Sequence, residues 1–171
     1  MCIRDRADAI EIDYEIEGIK ATLRLELNQQ EAQKSHGLCD RSEPDVANLP
    51  AGEIYYVPTN ASGQFPFQLD DVTTALLTVE DLIVVKGDLI SGQQATVDAY
   101  IDRVKDDPAF GKIGELGFGT QRLPVSGVDI QDEKILGTCH VATGRSDHLG
   151  GDITPDPVSY THLTLPTICS V

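Results

Sequence analysis

The 171-residue sequence is long enough for one domain with a sizeable core, and it is strongly acidic: 28 Asp and Glu residues against 13 Lys and Arg give a net charge of −15. Such a charge repels nucleic acid and anionic membrane surfaces, which argues against both as partners. Aromatic residues make up only 5% and tryptophan is absent, so platforms for base stacking are not available. No apolar run approaches the roughly 20 residues of a membrane span, and a cytoplasmic protein is expected.

Both ends of the chain resemble translated sequencing-adapter reads of the kind found in environmental assemblies. These segments are MCIRDR at residues 1–6 and VSYTHLTLPTICSV at residues 158–171. Fold predictions therefore use residues 7–157, expected to be a partial domain whose native ends lie outside the sequence. The alternative is a native tail rich in Thr, Leu and Pro. Cys39 and Cys139 remain, and their spacing predicts neither a zinc finger nor a disulfide framework.

The first third of the chain predicts strands separated by a long loop. From Ala9 to Asn28, apolar residues alternate with polar or charged ones on both sides of Glu17-Gly18, which is the pattern of a β-hairpin. Residues 29–50 have no clean period and predict a long loop, and a loop of that length in a compact domain is often functional. Residues 53–57 (EIYYV) predict a short strand.

The rest of the chain predicts more strands and one helix. Residues 74–79 and 82–86 favour a second hairpin, and residues 113–118 and 135–141 are two further apolar segments. Residues 120–134 form a connection that contains Gly, Pro, Asp and Glu.

The one main helix is predicted over residues 93–106, with Ser91 and Gln94 as a capping box and Pro108 just beyond its end. Its buried stripe is expected to contain Val97, Tyr100, Ile101 and Val104. The predicted fold class is α/β (mixed α+β), a strand-rich single domain with one main helix packed on a mixed sheet.

Three residues are candidate metal ligands, and each has a plainer alternative. Glu53 begins an apolar strand, where a carboxylate can project into a cleft, or it is an exposed strand-edge residue. Glu115 is the only charge in the run IGELGF; a buried carboxylate there needs a cation, whereas one on a solvated face does not. His140 lies among small residues that leave room around its ring, either as a ligand or as a satisfied core histidine.

Asp147 and His148 form a candidate acid/base pair in a loop between glycines, with a solvated polar turn as the alternative. Other chemistry finds no support in the motifs. The chain lacks the GxxxxGK[ST] spacing of a phosphate loop, a dinucleotide fingerprint opening a helix and a GxSxG nucleophile elbow.

Three motifs together resemble the aminopeptidase T family of thermophilic-type leucyl aminopeptidases. They are NLPAGE at residues 48–53, IGELGFGT at residues 113–120 and DEKILGTCHVATG at residues 132–144, in the order of the family. The resemblance implies a metallo-aminopeptidase with two divalent ions (Zn, Co or Mn) that removes amino-terminal residues from a peptide substrate. It further implies a homodimer.

Within that resemblance, Glu53, Glu115 and His140 match ligands of the dinuclear centre, with Glu115 as the ligand shared by both ions. Two such ions would activate a water and polarise the peptide carbonyl. The family's tyrosine seven residues beyond the histidine is replaced by Asp147, and its later His-x-Asp pair has no counterpart. The chain is therefore expected to be inactive by itself as a peptidase.

The departures leave two alternative functions open. A related branch of the same fold contains ring-opening dihydroxypyridine dioxygenases that hold one non-haem iron through histidines and a carboxylate. Asp147-His148 could mark a member of that kind, acting on a small-molecule substrate. The other alternative is a non-catalytic assembly domain.

Overall fold

The structure, a computed structural model, describes residues 7–38, 49–144, 146 and 151–152, together with the backbone of residues 160–165. Ten strands are described: β1 (Ala9–Ile16), β2 (Ile19–Glu26), β3 (Gln33–Ser35), β4 (Glu53–Tyr56), β5 (Asn60–Gln68), β6 (Thr74–Glu80), β7 (Ile83–Ser91), β8 (Ile113–Gly119), β9 (Cys139–Gly144) and β10 (Tyr160–Leu165).

These strands form two five-stranded sheets whose neighbours all pair antiparallel. The first sheet has the order β1-β2-β5-β6-β7 and the second the order β10-β9-β8-β4-β3. Helix α1 (Gln94–Asp106) follows the first sheet, a 3-10 turn (Pro108–Gly111) leads into the second, and a one-turn helix α2 (Asp129–Asp132) lies between β8 and β9. The strand-rich α+β fold class with one main helix is confirmed. Within the described residues, no helix is long and apolar enough to cross a membrane.

One hydrophobic core is shared by both sheets and α1. Alternation along β2 buries Leu23 and Leu25 while the residues between them face solvent, as the period of two predicts. Val97, Tyr100 and Val104 of α1 are buried, and Ile101 is half-buried at the edge of the same stripe.

Tyr100 connects the sheets through this core. Its ring packs on Phe67 of the first sheet at 5.8 Å and on Phe110 at 5.3 Å between centroids. The Tyr100 hydroxyl lies 3.4 Å from Thr143 Oγ1 on β9. Burial raises the pKa of Tyr100 to about 12, so its hydroxyl stays protonated.

The strands differ from the prediction at three places: β3 lies within the predicted long loop of residues 29–50, β5 is absent from the prediction, and β9 begins later than predicted. Strand β5 was not predicted, because Gly63 and Pro66 interrupt its pattern. It tolerates Pro66 because β2 pairs only with residues 60–63, which leaves the second half of β5 paired on one side. The apolar segment 135–141 is not a strand throughout: residues 135–138 turn, and β9 begins at Cys139.

The predicted capping box of α1 is also wrong. Ser91 remains paired with Thr74 at the end of β7, and Gly92 (φ +95°) turns the chain before the helix begins. The N-cap is Gln93, which makes no side-chain capping bond, and its backbone N–H donates to Thr73 Oγ1 at 3.3 Å. Capping is therefore supplied by a distant loop rather than by the local motif.

Strand β10 lies within residues 158–171, the segment that resembles adapter sequence. Its pairing with β9 does not test that prediction, because an open sheet edge accepts an added strand through backbone groups alone. Residues 1–6 lie outside the described residues.

Asp70 organises the turn between β5 and β6 and contacts the first turn of α1. Its carboxylate accepts hydrogen bonds from the backbone N–H groups of Val72 (2.9 Å) and Thr73 (2.7 Å) and from the Thr96 hydroxyl (3.2 Å). These bonds lower the pKa of Asp70 below its ordinary value of 3.8. The carboxylate therefore stabilises the fold above that unfolded-state pKa, and the contribution is lost as the pH falls through the lower folded-state pKa.

We expect Asp70→Asn to lower the free energy of unfolding at neutral pH and to lose this effect in acid, because the wild-type carboxyl is then protonated too. Urea unfolding at about pH 7 and at a series of lower pH values measures how the difference shrinks in acid. Asp71→Asn in the same loop is the matched control, and a destabilisation by Asp70→Asn that does not change with pH would contradict the role assigned to the carboxylate.

Candidate metal centre

Three adjacent strands of the second sheet place the candidate ligands on one face. Glu53 is the first residue of β4 and pairs with Gly119 of β8, while Gly117 of β8 pairs with His140 of β9. Because side chains alternate along a strand, Glu115 projects to the same side as Gly117 and Gly119. The register thus brings together residues that are far apart in the sequence.

The three predicted ligands converge in the interior. One carboxylate oxygen of Glu53, one of Glu115 and an imidazole nitrogen of His140 all lie within 4.8 Å of one another. His140 Nε2 is 3.7 Å from Glu53 Oε2 and 3.6 Å from Glu115 Oε1. Relative exposures of 7%, 7% and 2% exclude the exposed-edge alternative for Glu53 and the solvated-face alternative for Glu115.

This set of donors fits a divalent metal ion. Carboxylate oxygen and imidazole nitrogen are ligands that zinc, iron and manganese share. Glu53 Oε2 is buried and accepts no hydrogen bond within the described part of the chain, which is a costly position for a carboxylate oxygen without a cation. The assignment of the three residues as ligands stays a prediction, now with a geometry that suits it.

Two further charged residues of the site were not identified as candidates from the sequence. Lys134 (1% exposed) places its Nζ 2.7 Å from Glu53 Oε1 and also forms an ion pair with Glu133 Oε1. Glu133 (3% exposed) directs its other oxygen to within 4.0 Å of His140 Nε2. In the sequence these residues stand in a charged DEK triplet, the usual pattern of a solvated turn, so no local signal indicates their burial.

A hydrogen-bonded turn carries Glu133 and Lys134 into the site. The Thr138 hydroxyl donates to the carbonyl oxygens of Glu133 (2.9 Å) and Ile135 (2.8 Å). The carbonyl of Lys134 accepts from the backbone N–H of Gln121 at 2.9 Å. The turn at residues 135–138 thereby holds Glu133 and Lys134 in the charged cluster.

Charges in the cluster shift one another's titration. Burial raises the pKa of Glu53, although Lys134 acts in the opposite sense. Burial by itself would lower the pKa of His140 and of Lys134. For His140, the hydrogen bond and charge of Glu115 and the charges of Glu133 and Glu53 outweigh burial and raise the pKa; for Lys134, Glu133 and Glu53 do the same. The carboxylates therefore attract positive charge to this point, whether a proton or a metal ion.

Two glycines of β8 make the space for the cluster. A Cβ added to Gly117 would overlap the imidazole ring of His140, which lies directly over this residue. A Cβ added to Gly119 would meet the Glu133 carbonyl oxygen at 2.7 Å. The alternation of glutamate and glycine in IGELGFG thus supplies one ligand and, beside it, room for the groups that come from β9 and the preceding turn.

Tyr55 is another residue of this face that the sequence did not single out. It lies two positions beyond Glu53 on β4, opposite Gly117, and is half-buried. Burial and the negative charges of Glu115 and Glu53 raise the pKa of Tyr55, which keeps its phenol a hydrogen-bond donor. Asp147 and His148, the predicted acid/base pair, lie outside the described residues, and their role stays a prediction.

The chain matches no protein-family model and no curated protein. Among solved structures, its fold is similar to that of 2,5-dihydroxypyridine dioxygenase from Pseudomonas putida KT2440, with a TM-score of 0.62 and 19% sequence identity. The match covers 94% of this chain and 49% of the dioxygenase chain, so this chain spans about half of that length. At this identity the likeness shows the fold alone, and it does not bear on the resemblance to aminopeptidase T.

We expect Gly117→Ala to weaken divalent metal binding by at least about tenfold, because the new methyl group would displace the His140 ring from its position beside the two carboxylates. Titration calorimetry with zinc measures the dissociation constant. Leu116→Val, on the opposite face of the same strand, is the matched control: it should cost stability without changing metal affinity. Equal zinc affinities for Gly117→Ala and wild type would show that the ring position is not needed for binding.

Proposed function

We propose that this chain carries the metal centre of a mononuclear non-haem iron enzyme that opens dihydroxylated heteroaromatic rings with dioxygen. The observation that carries the proposal is the buried cluster of Glu53, Glu115 and His140 on a fold similar to that of a dihydroxypyridine dioxygenase. This similarity favours the oxygenase over a hydrolase. Because the chain covers about half of the similar enzyme, the complete activity is part of the proposal.

Glu53, Glu115 and His140 are the residues that would hold the ion. When bound, ferrous iron supplies a redox-active Lewis acid that can bring dioxygen and an electron-rich ring together. The burial of all three ligands excludes bulk water from their side of the site. Gly117 leaves the space that the His140 imidazole occupies. The ammonium group of Lys134 fixes the orientation of Glu53 by contacting Glu53 Oε1.

Tyr55 is placed to orient a substrate in this scheme. Its half-exposed phenol lies on the ligand-bearing face and remains a donor, which suits a hydrogen bond to a hydroxyl or ring nitrogen of a heteroaromatic substrate. Asp147 and His148 remain the candidate acid/base pair, and His148 would bring the donor set closer to the histidine-rich sites typical of non-haem iron.

A dinuclear metallo-aminopeptidase is the second candidate. Three motifs of the sequence favour it, and the two buried glutamates, Glu53 and Glu115, suit a centre in which a carboxylate bridges two ions. In that case the substrate is a peptide, the metal is zinc, cobalt or manganese, and a homodimer is the expected assembly. A non-catalytic assembly domain is the third possibility.

We expect the full chain, loaded anaerobically with ferrous iron, to retain one iron and to consume oxygen with 2,5-dihydroxypyridine. Glu115→Gln should lower iron affinity by more than about tenfold, because it removes an anionic ligand. Iron content and an oxygen electrode give the two readouts, and Glu80→Gln, at an exposed glutamate of β6, is the matched control.

Hydrolysis of aminoacyl-anilides with zinc, cobalt or manganese, without oxygen uptake under any condition, would overturn the oxygenase and favour the aminopeptidase. If Glu53→Ala and Glu115→Ala left metal content and both activities at the wild-type level, the cluster would have no role in metal binding, and the assembly domain would be the remaining interpretation.

A further inference from the structure

We propose that the ammonium group of Lys134 serves as a built-in cation at the second cation position of the cluster, and so limits the centre to one divalent ion. This inference rests on the proposed metal centre but not on its reaction. It assigns a role to Lys134, which is not one of the candidate ligands. The presence of its ammonium group would distinguish a mononuclear from a dinuclear centre.

The carboxylates of Glu53 and Glu133 each direct one oxygen towards Lys134 and the other towards His140. Glu53 uses Oε1 for Lys134 Nζ at 2.7 Å and directs Oε2 towards His140 Nε2 at 3.7 Å. Glu133 does the same, with Oε1 in an ion pair with Lys134 and Oε2 4.0 Å from His140 Nε2. A carboxylate that bridges two metal ions uses its two oxygens in this manner. Here one of the two cation positions is taken by the lysine.

Charge balance supports a single ion. Within the described residues, Glu53, Glu115 and Glu133 are the buried carboxylates, Lys134 is the buried ammonium, and His140 must be neutral to bind a metal. The cluster then carries two negative charges, which one divalent ion neutralises. A second divalent ion would leave an excess of two positive charges in a site where solvent screens little, and buried uncompensated charge is strongly unfavourable.

Lys134 is held so that it remains in this position. Its side chain is 1% exposed, its carbonyl accepts from the N–H of Gln121 at 2.9 Å, and its own N–H donates to the Gln131 carbonyl at 3.2 Å. The Thr138 hydroxyl fixes the carbonyl of Glu133 beside it. Withdrawal of the ammonium group would require this turn to open and would leave Glu53 and Glu133 without their cation.

Two variants distinguish the effect of the net charge of the cluster from the effect of the space that the Lys134 side chain fills. Lys134→Ala opens the position and leaves three negative charges, whereas Glu133→Gln with Lys134→Ala opens the same position but keeps the wild-type net charge. Native mass spectrometry and titration calorimetry with zinc and with manganese count the ions bound by each folded chain. We expect one ion for wild type, two for Lys134→Ala and one for the double variant.

Two ions bound by the wild-type chain, or one ion with unchanged affinity in Lys134→Ala, would overturn the role of Lys134 while leaving the metal centre in place. No ion bound by the wild-type chain would overturn the metal centre itself. Oxygen uptake by the wild-type chain tests the proposed reaction separately, so failure of the reaction and failure of this inference are distinct results.

A second measurement needs no variant and therefore does not depend on the folding of Lys134→Ala. The ¹⁵N signal of a buried, hydrogen-bonded lysine ammonium is protected from exchange with solvent. We expect the Lys134 Nζ signal to persist, with a changed chemical shift, when the wild-type chain is saturated with zinc. Loss of that protection on metal loading would show that the ion displaces the ammonium group and would overturn the inference.

Discussion

The burial of several carboxylates around one ammonium group is the constraint on which the second sheet depends. An unpaired ion in the interior costs several kcal/mol even after relaxation, so Glu53, Glu115 and Glu133 can be buried together only if cations accompany them. Lys134 supplies one such cation from within the chain. The negative charge that remains raises the pKa of His140 despite its burial, and it would favour a metal ion at the same point.

Strand β8 accommodates the buried charged cluster with glycines that lower the stability of the strand itself. Glycine within a strand costs roughly 0.5–1 kcal/mol relative to alanine, yet Gly117 and Gly119 occupy the middle and end of β8. Glycine is required at both positions because a side chain at Gly117 would overlap the His140 imidazole, and one at Gly119 would overlap the turn at residues 133–138. Residues with a low strand propensity are expected where a functional site needs space. The two glycines therefore support a functional site on the face that carries Glu53, Glu115 and His140.

The sequence motifs and the buried cluster of Glu53, Glu115 and His140 both favour a metal centre, and the chemistry of that centre stays a proposal. The motifs resemble a dinuclear peptidase family, whereas the fold is similar to that of a 2,5-dihydroxypyridine dioxygenase at an identity that shows the fold alone. Because the candidate ligands are the same residues in both cases, ligand identity does not separate the two. The number of ions does, and within the described cluster that number depends on Lys134, a residue outside the motif ligands.

The sequence by itself indicated the features whose signals are local: the first hairpin from its period of two, helix α1 from its apolar stripe, and Glu53, Glu115 and His140 as candidate ligands from motifs. The sequence could not place the capping group of α1 or the strand β5, because the cap comes from Thr73 across a turn and β5 is paired despite its proline. Only the tertiary structure decided that the Glu133-Lys134 pair of the charged DEK triplet is buried. Its burial follows from a turn pinned by Thr138 and Gln121 and from the space above two glycines, and such contacts between distant segments leave no periodic trace in the sequence.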